Sequence, residues 1–491
     1  MNGPPNETDP GEPPDGRAWD LLVVGGGTAG ILAARTAAGF GASVLLVERD
    51  RTGGECLWTG CVPSKALLAA AAAAADARNA YRLGITVAGV TVDFGAVLAH
   101  VRAAVAAIEP GDSPRALAEA GIRVARASAR FTGPATAAVA GRVVRFRQAV
   151  IATGSEPVLP PIPGLAEAAP LTSDTVWSLT ELPRRLAVLG GGSVGCELGQ
   201  AFARLGSRVS IIEAAPRLLT GEDPDASGAV TDGLRADGVT VLTNAAATAV
   251  HADRTLVLGD GTRLGFDTLL VAVGRRPRTD DLGLGEAGVA FDEGGHVRVD
   301  PLLRTSNRRI WAAGDVTGHP QFTHTAGVHG SLAAGNAILG LRRRVRLAAM
   351  PRVTFTQPEV AAVGLGDEMA RHHGLAARTV CHAHVDRAVT DGHTGGFSRL
   401  VIDGRGRVLG ATVVGPRAGD TLAELVLAVG RGLRTRDLAA ATHPYPTYGY
   451  GPWDAAIADV GGRLRRPVPM RAITVLAAAR RRWMDRRAHP G

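Results

Sequence analysis

Lysine is almost missing from this chain of 491 residues: of 54 basic Lys and Arg side chains, Lys65 is the only lysine. Arginine serves at nearly any surface position, so one retained ammonium hints at a site that needs a compact charge. Cysteine is scarce too. Four cysteines in so long a chain are too few for a disulfide framework. No run approaches the ~20 apolar residues of a membrane span. The first twenty residues are rich in Pro, Gly and acids and lack the apolar stretch of a secretory signal. These shortages exclude disulfide-scaffold, collagenous, disordered and integral-membrane classes, and they argue for a cytoplasmic location. A hydrophobic fraction of 46% is enough for a large core, and the length implies roughly two to four domains.

The net charge of +8 resides in the tail. Residues 461–491 hold nine Arg and one Asp, so the rest of the chain sums to zero. A neutral body gives no support to nucleic-acid binding.

One internal repeat stands out. Residues 20–48 and 186–213 superimpose at a constant offset of 165, placing Gly25, Gly27, Gly30, Gly41 and Glu48 on Gly190, Gly192, Gly195, Gly206 and Glu213. Each copy reads as an apolar strand, a glycine turn, a helix and a second strand ending in Glu. This is the βαβ dinucleotide fingerprint. The first glycine makes the tight turn, the second admits a pyrophosphate, and the third lets helix and strand pack closely. The helix N-terminus attracts phosphates, and the terminal Glu is expected to bond ribose hydroxyls. A single such motif also suits a plain strand-to-helix turn; two full copies point to ligands.

Other blocks organise the remainder. Residues 66–77 form an Ala-rich helix. Residues 121–147 alternate as strands and lead to Thr153-Gly154. Apolar strands at 268–277 and 308–316 carry Gly274 and Gly314-Asp315 at their C-terminal ends, where α/β folds bind ligands. Residues 341–350 read as an Arg-rich linker. From 351 to 460, strands at 352–356, 398–402 and 408–414 precede a helix at 419–432, which suggests a separate α+β domain. Cys196 and Cys381 read as ordinary buried thiols.

Cys56 and Cys61 follow the first βαβ unit in Gly53-Gly-Glu-Cys56-Leu-Trp-Thr-Gly-Cys61-Val-Pro-Ser-Lys65. Five residues of regular helix would separate the two Cα atoms beyond the ~7 Å disulfide limit, so the segment must bend, and Gly60 permits it. The helix that follows lowers a nearby thiol pKa through its dipole. A cytosolic cysteine pair is more often redox-active or metal-binding than structural. A metal site needs further ligands, and no Cys or His cluster supplies them.

With these motifs the sequence resembles the class I pyridine nucleotide–disulfide oxidoreductases over about residues 19–460. This family includes dihydrolipoamide dehydrogenase, glutathione reductase and mercuric reductase. The resemblance implies an α/β fold with two Rossmann-like domains, binding FAD and NAD(P), and a C-terminal α+β dimerisation domain. The implied boundaries are a disordered 1–18, an FAD domain over 19–155, an NAD(P) domain over 156–280, a second FAD or central part over 281–345, a dimerisation domain over 346–460 and a basic tail over 461–491. It also implies roles. Gly25, Gly27, Gly30, Glu48, Thr153, Gly154, Gly314 and Asp315 hold FAD, with Asp315 on the ribityl chain. Gly190, Gly192, Gly195, Glu213 and Gly274 serve NAD(P)H. Cys61 is the charge-transfer thiolate, Cys56 the interchange thiol, and Lys65 pairs with Glu197 near flavin N5. A carboxylate at Glu213 repels a 2′-phosphate and favours NADH, although Arg217 could reach the phosphate of NADPH.

One departure matters. Family members that reduce lipoamide or glutathione carry a His before Pro-Thr, with a Glu five residues later, as the acid/base dyad across a homodimer interface. Here Tyr445 and Tyr450 occupy those places, and a phenol is a poor base at neutral pH. Mercuric reductase shares the Tyr but has a C-terminal cysteine pair that this chain lacks. The expected activity is therefore a mercuric-reductase-like enzyme passing electrons to a small molecule, small disulfide or metal ion. Dihydrolipoyl dehydrogenase, a quinone or dye reductase that bypasses the disulfide, and a non-catalytic redox sensor are the alternatives. His443 is a substitute base or a satisfied loop histidine. The tail is a solvated extension on the dimer, or an amphipathic helix at an anionic membrane.

Overall fold

The computed structural model describes residues 8–488. The chain divides into two compact units. The first runs to Leu219 and resumes over Leu234–Leu347; the second joins Thr220–Gly233 to the chain from Ala348 onward.

The first unit starts with β1 (Trp19–Val24), α1 (Thr28–Gly39) and β2 (Val44–Glu48). Next come α2 (Gly54–Trp58), α3 (Cys61–Asn79), α4 (Phe94–Ile108) and α5 (Pro114–Glu119). Four strands follow: β3 (Ile122–Arg126), β4 (Ala129–Gly133), β5 (Thr136–Val139) and β6 (Arg142–Ile151). The sheet order is β3-β2-β1-β6-β5-β4, and strand Ile310–Ala312 returns to pair β6 in parallel. Leu21, Leu22 and Val23 are all fully buried; a central parallel strand covered on both faces reads as a continuous apolar run.

A second parallel sheet is built from Arg185–Leu189, Arg208–Ile212, Thr240–Leu242, Thr268–Val271 and Leu171–Thr172. Helix α6 (Ser193–Leu205) follows the first of these strands as α1 follows β1. Strand pairs Arg185–Leu189 with Arg208–Ile212, and β1 with β2, are both parallel. The two repeats therefore form two Rossmann-like cores, as their glycine spacing implies.

Three expectations change here. Residues 8–18 have no regular structure, but they are tied to the first sheet: Asp9 pairs with Arg142 at 2.7 Å, and Arg147 pairs with Asp15. Residues 1–7 lie outside the described residues. Second, the stretch Gly54–Leu83 contains an 18-residue window with a mean hydropathy of 1.3, apolar enough for a membrane span by length and composition. The Ala run supplies this apolarity, and here α3 packs against α4 and α6. Third, Cys381 is exposed, because it ends the edge strand Ala376–Cys381.

The second unit is α+β. Its antiparallel sheet runs Pro351–Thr354, Glu359–Gly364, Val408–Gly415, Phe397–Ile402, Ala376–Cys381 in spatial order. Helices Ala418–Arg431 and Tyr450–Leu464 bury Leu422, Leu425, Ala455 and Ala456 against it. The tail forms helix Pro467–Ala488. Its aromatic residue Trp483 is flanked by the guanidinium groups of Arg480 and Arg487, 3.9 and 4.2 Å from the ring centre.

Candidate redox site between two glycine turns

The two glycine turns match down to single hydrogen bonds. Glu48 Oε2 accepts from Gly26 N at 2.6 Å and Oε1 from Asp50 N at 2.8 Å. Glu213 Oε2 accepts from Gly191 N at 2.7 Å and Oε1 from Ala215 N at 2.7 Å. Each carboxylate thus braces the glycine loop as well as facing the ligand end of its strand. A carboxylate has about four lone-pair sites, so ribose hydroxyls can still bond. Gly25 and Gly190 take φ of +107° and +105°, which favours glycine. No side chain caps the N-terminus of α1 or of α6, and their free amides suit a phosphate.

The cysteines sit across a hinge. Cys56 lies in α2, Cys61 opens α3, and the helix breaks between them at Thr59 and Gly60. Helix α3 starts at Cys61, five residues earlier than the Ala run suggests, because Pro63 is tolerated in a first turn. The Cys56 thiol acts directly on the Cys61 sulfur and favours its thiolate. That interaction is the largest influence on both groups: it pulls the Cys61 thiol down to about 6 and pushes the Cys56 thiol up. A hydrogen bond from Thr323, whose Oγ1 is 3.2 Å from Cys61 Sγ, and the Lys65 charge also favour the Cys61 thiolate; burial and the Glu197 charge oppose it.

Lys65 Nζ meets Glu197 Oε2 at 2.8 Å, as the motifs imply. Asp315 Oδ2 accepts from Ser155 Oγ at 2.6 Å, next to Thr153 and Gly154. Thr153 Oγ1 donates to Arg278 O at 2.7 Å, fastening this strand end to the segment after Gly274. Sequence reasoning missed Thr28, Thr323, Glu55 and Arg275. Thr28 favours the Cys56 thiolate, against the larger influences of Cys61 and burial. Arg275, in the Gly274-Arg-Arg-Pro277 motif, pairs with Glu55; the motif was the only signal for it.

In the second unit, Tyr445 is 64% exposed and its hydroxyl donates to Asp386 Oδ2 at 2.5 Å. That carboxylate raises the phenol's pKa further, so Tyr445 is no base at neutral pH. His443 is held through Nδ1 by Ala441 O at 3.1 Å and through Nε2 by Glu424 at 2.9 Å.

Residues 19–330 match the model of the family described as pyridine nucleotide-disulphide oxidoreductase, and residues 350–456 match that family's dimerisation domain. The chain belongs to this family. It is a flavin-dependent pyridine nucleotide–disulfide oxidoreductase, and its dimerisation domain supports a homodimer. It is 40% identical over 444 residues to a mercuric reductase of Streptomyces lividans, covering 87% of this chain and 94% of the relative. It is 34% identical over 445 residues to a dihydrolipoyl dehydrogenase of Chlamydia muridarum, covering 88% and 94%. Among solved structures, LpdA from Mycobacterium tuberculosis superimposes with a TM-score of 0.82 at 27% identity, covering 89% and 99%. The HOCl-induced flavoprotein disulfide reductase RclA from Escherichia coli, as a Cu(II) complex, does so with 0.78 at 29%, covering 88% and 98%.

The residues present fit both dinucleotides typical of this oxidoreductase family. A Cβ on Gly192 would meet nothing within 4 Å, so the second turn leaves its backbone open to a pyrophosphate. In the first turn, a Cβ on Gly54 would lie 2.5 Å from Gly27 Cα. The thiol segment and the first glycine turn are thus closed on each other by glycines.

Proposed function

We propose that the Cys56–Cys61 pair of this oxidoreductase delivers electrons from NADH to a small oxidised acceptor, a metal ion such as Hg(II) or a small disulfide. Bound flavin supplies the two-electron relay between reduced nicotinamide and the thiol pair. The observation that carries the reading is the hinge that sets Cys56 in one short helix and Cys61 at the next helix start, with Thr323 Oγ1 3.2 Å from Cys61 Sγ and the Lys65–Glu197 pair one turn further along. Cys61 is drawn down to about 6, while Cys56 keeps its proton and donates it to Cys61. Attack on a disulfide acceptor then runs in two exchanges. Cys56 attacks as its proton passes to Cys61, and one acceptor sulfur leaves and takes that proton from Cys61; the Cys61 thiolate then displaces the second acceptor sulfur and closes the Cys56–Cys61 disulfide. The acceptor gains two electrons from the pair, one proton from Cys56 and one from solvent, and leaves as two thiols.

Support for NADH comes from Glu213, whose carboxylate ends the second repeat where a 2′-phosphate would lie. Arg217 Nη1 bonds Leu219 O at 3.2 Å, which turns it toward its own backbone. The Tyr445 departure weighs against lipoamide as acceptor, since a phenol beside Asp386 cannot take the interchange proton at neutral pH. A cytoplasmic setting, where thiols stay reduced, suits this chemistry.

The test is NADH oxidation with Hg(II), small disulfides and quinones, using wild type and Cys56→Ala. We expect the variant to lose at least about a hundredfold in turnover with Hg(II) or disulfides while NADH still bleaches the flavin. Full activity in Cys56→Ala would instead establish a quinone-type reductase that bypasses the thiols.

A further inference from the structure

We propose that Glu55 and Trp177 form a latch on the hinge between Cys56 and Cys61, and that Glu55 is a positioning residue for thiol closure through its grip on Arg275. The proposal rests on reading the two cysteines as the redox pair, and it concerns what holds them together.

The hinge is a weak point by construction. Helix α2 has only five residues, α3 begins after Gly60, and no side chain caps either start. Five-residue helices have little stability of their own, so contacts from elsewhere must fix the sulfur-to-sulfur geometry. Glu55 meets this need twice. Its backbone oxygen accepts from both hinge amides, Thr59 N at 2.9 Å and Gly60 N at 2.6 Å. Its side chain pairs with Arg275.

Arg275 is itself well anchored. Its Nε donates to Ser155 Oγ at 2.8 Å, Nη2 to Ser155 O at 3.1 Å, and Nη1 to Ser173 Oγ at 3.2 Å. Ser155 in turn donates to Asp315. The guanidinium is therefore a fixed post whose orientation is set by three other donor bonds, and Glu55 is moored to it. Only Arg, with its planar fork, can serve so many acceptors at once.

The second arm grips the hinge from Trp177. Its indole Nε1 donates to Thr59 O at 2.8 Å and to Ser173 O at 2.9 Å. The same short segment, 173–177, thus touches both the hinge and the Arg275 post. Asp174 sits 4.0 Å from Arg275 and 3.6 Å from Arg278, which balances charge around the post. Each contact bears on where Cys56 stands relative to Cys61, and none touches either sulfur. Loosening the latch lowers the effective concentration of one thiol at the other, and so disfavours the disulfide relative to the dithiol.

The experiment equilibrates the purified holoenzyme with dithiothreitol buffers of graded poise and reads closed and open thiols by alkylation and mass spectrometry. Wild type, Glu55→Gln and Trp177→Phe are compared, with flavin content and Tm measured in parallel. We expect Glu55→Gln to move the closure constant about tenfold toward the dithiol, about 30 mV for a two-electron couple. A shift of threefold or more supports the latch, and a smaller one in a folded, flavin-loaded variant overturns it. Should Glu55→Gln fail to fold, Trp177→Phe, which removes a single hinge donor, is judged by the same threshold. A purely structural role would lower Tm and leave the closure constant unmoved. A wild-type pair that stays open at every poise refutes the redox reading itself, an outcome distinct from closure that the variants do not alter.

Discussion

Lys65 Nζ donates to Glu197 Oε2 at 2.8 Å, joining the helix that Cys61 opens to the helix that follows the second glycine turn. Glu197 is buried, while the Lys65 side chain is 38% exposed. The two charges act on the Cys61 thiol in opposite directions. Lys65→Met is therefore expected to raise the Cys61 pKa by roughly half to one unit, and Glu197→Gln to lower it. The pH dependence of iodoacetamide modification at Cys61 measures both. Shifts of the same sign in both variants would overturn the assignment.

Donors to the sulfur give a second prediction. The Cys61 thiolate is present above about pH 6 and is lost as pH falls through that value. Its main support is the Cys56 thiol, with Thr323 behind it. Cys56→Ser keeps a donor and Cys56→Ala removes it, so Cys61 should titrate higher in the Ala variant by about one unit or more. Thr323→Val should move it in the same direction by less. Equal titration in all three proteins would show that these donors do not set the thiolate.

The glycines separate folding from binding. A Cβ on Gly30 would lie 1.8 Å from Gly25 O, a backbone atom that cannot step aside. Gly30→Ala is expected to cost about 3 kcal/mol and to yield protein with little flavin, seen in the ratio of visible to ultraviolet absorbance. A Cβ on Gly192 would meet no protein atom within 4 Å. Gly192→Ala should therefore keep wild-type Tm and flavin content while the KM for NADH rises about tenfold or more. An unchanged KM would remove the second turn from the nucleotide site.

Acid sensitivity follows from His329. It is fully buried, and neither ring nitrogen has a hydrogen-bond partner among the described residues. Burial, and after it the neighbouring His319, pushes its pKa down to about 4. An unfolded chain takes up this proton near the ordinary 6.5, so stability is whole above that value and falls as pH drops from 6.5 toward 4. The loss by pH 4 is on the order of 2–3 kcal/mol. Thermal unfolding at pH 7.5 and pH 5 should show a smaller drop in His329→Leu than in wild type. Equal drops would place the acid-sensitive group elsewhere.

Much of the site was legible because its chemistry is written locally. The glycines and terminal glutamates of each repeat lie within thirty residues, and backbone sterics force their spacing. The need for a bend between Cys56 and Cys61 followed from helix geometry alone, and the structure breaks at Thr59 and Gly60. Thr323 and Arg275 were hidden for the opposite reason. They reach the thiol segment from 262 and 220 residues away in sequence, and a lone Thr or Arg carries no periodicity. In the second unit, strands Glu359–Gly364 and Ala376–Cys381 went unread. Both contain adjacent alanines, which are depleted in strands, and pairing with their neighbours decides their conformation. The pairing of Asp9 and Asp15 with arginines of β6 was likewise invisible in a Pro- and Gly-rich stretch.

The matched bracing of Gly26 by Glu48 and of Gly191 by Glu213 gives the molecule a built-in control. Any perturbation of one carboxylate has a twin 165 positions along, in nearly identical surroundings at a second glycine turn. Shortening each to Asp in turn, with flavin content and the KM for NADH both measured, compares the two turns on the same scaffold. A difference between the twins then reports what each turn's ligand demands, with the local backbone cost common to both.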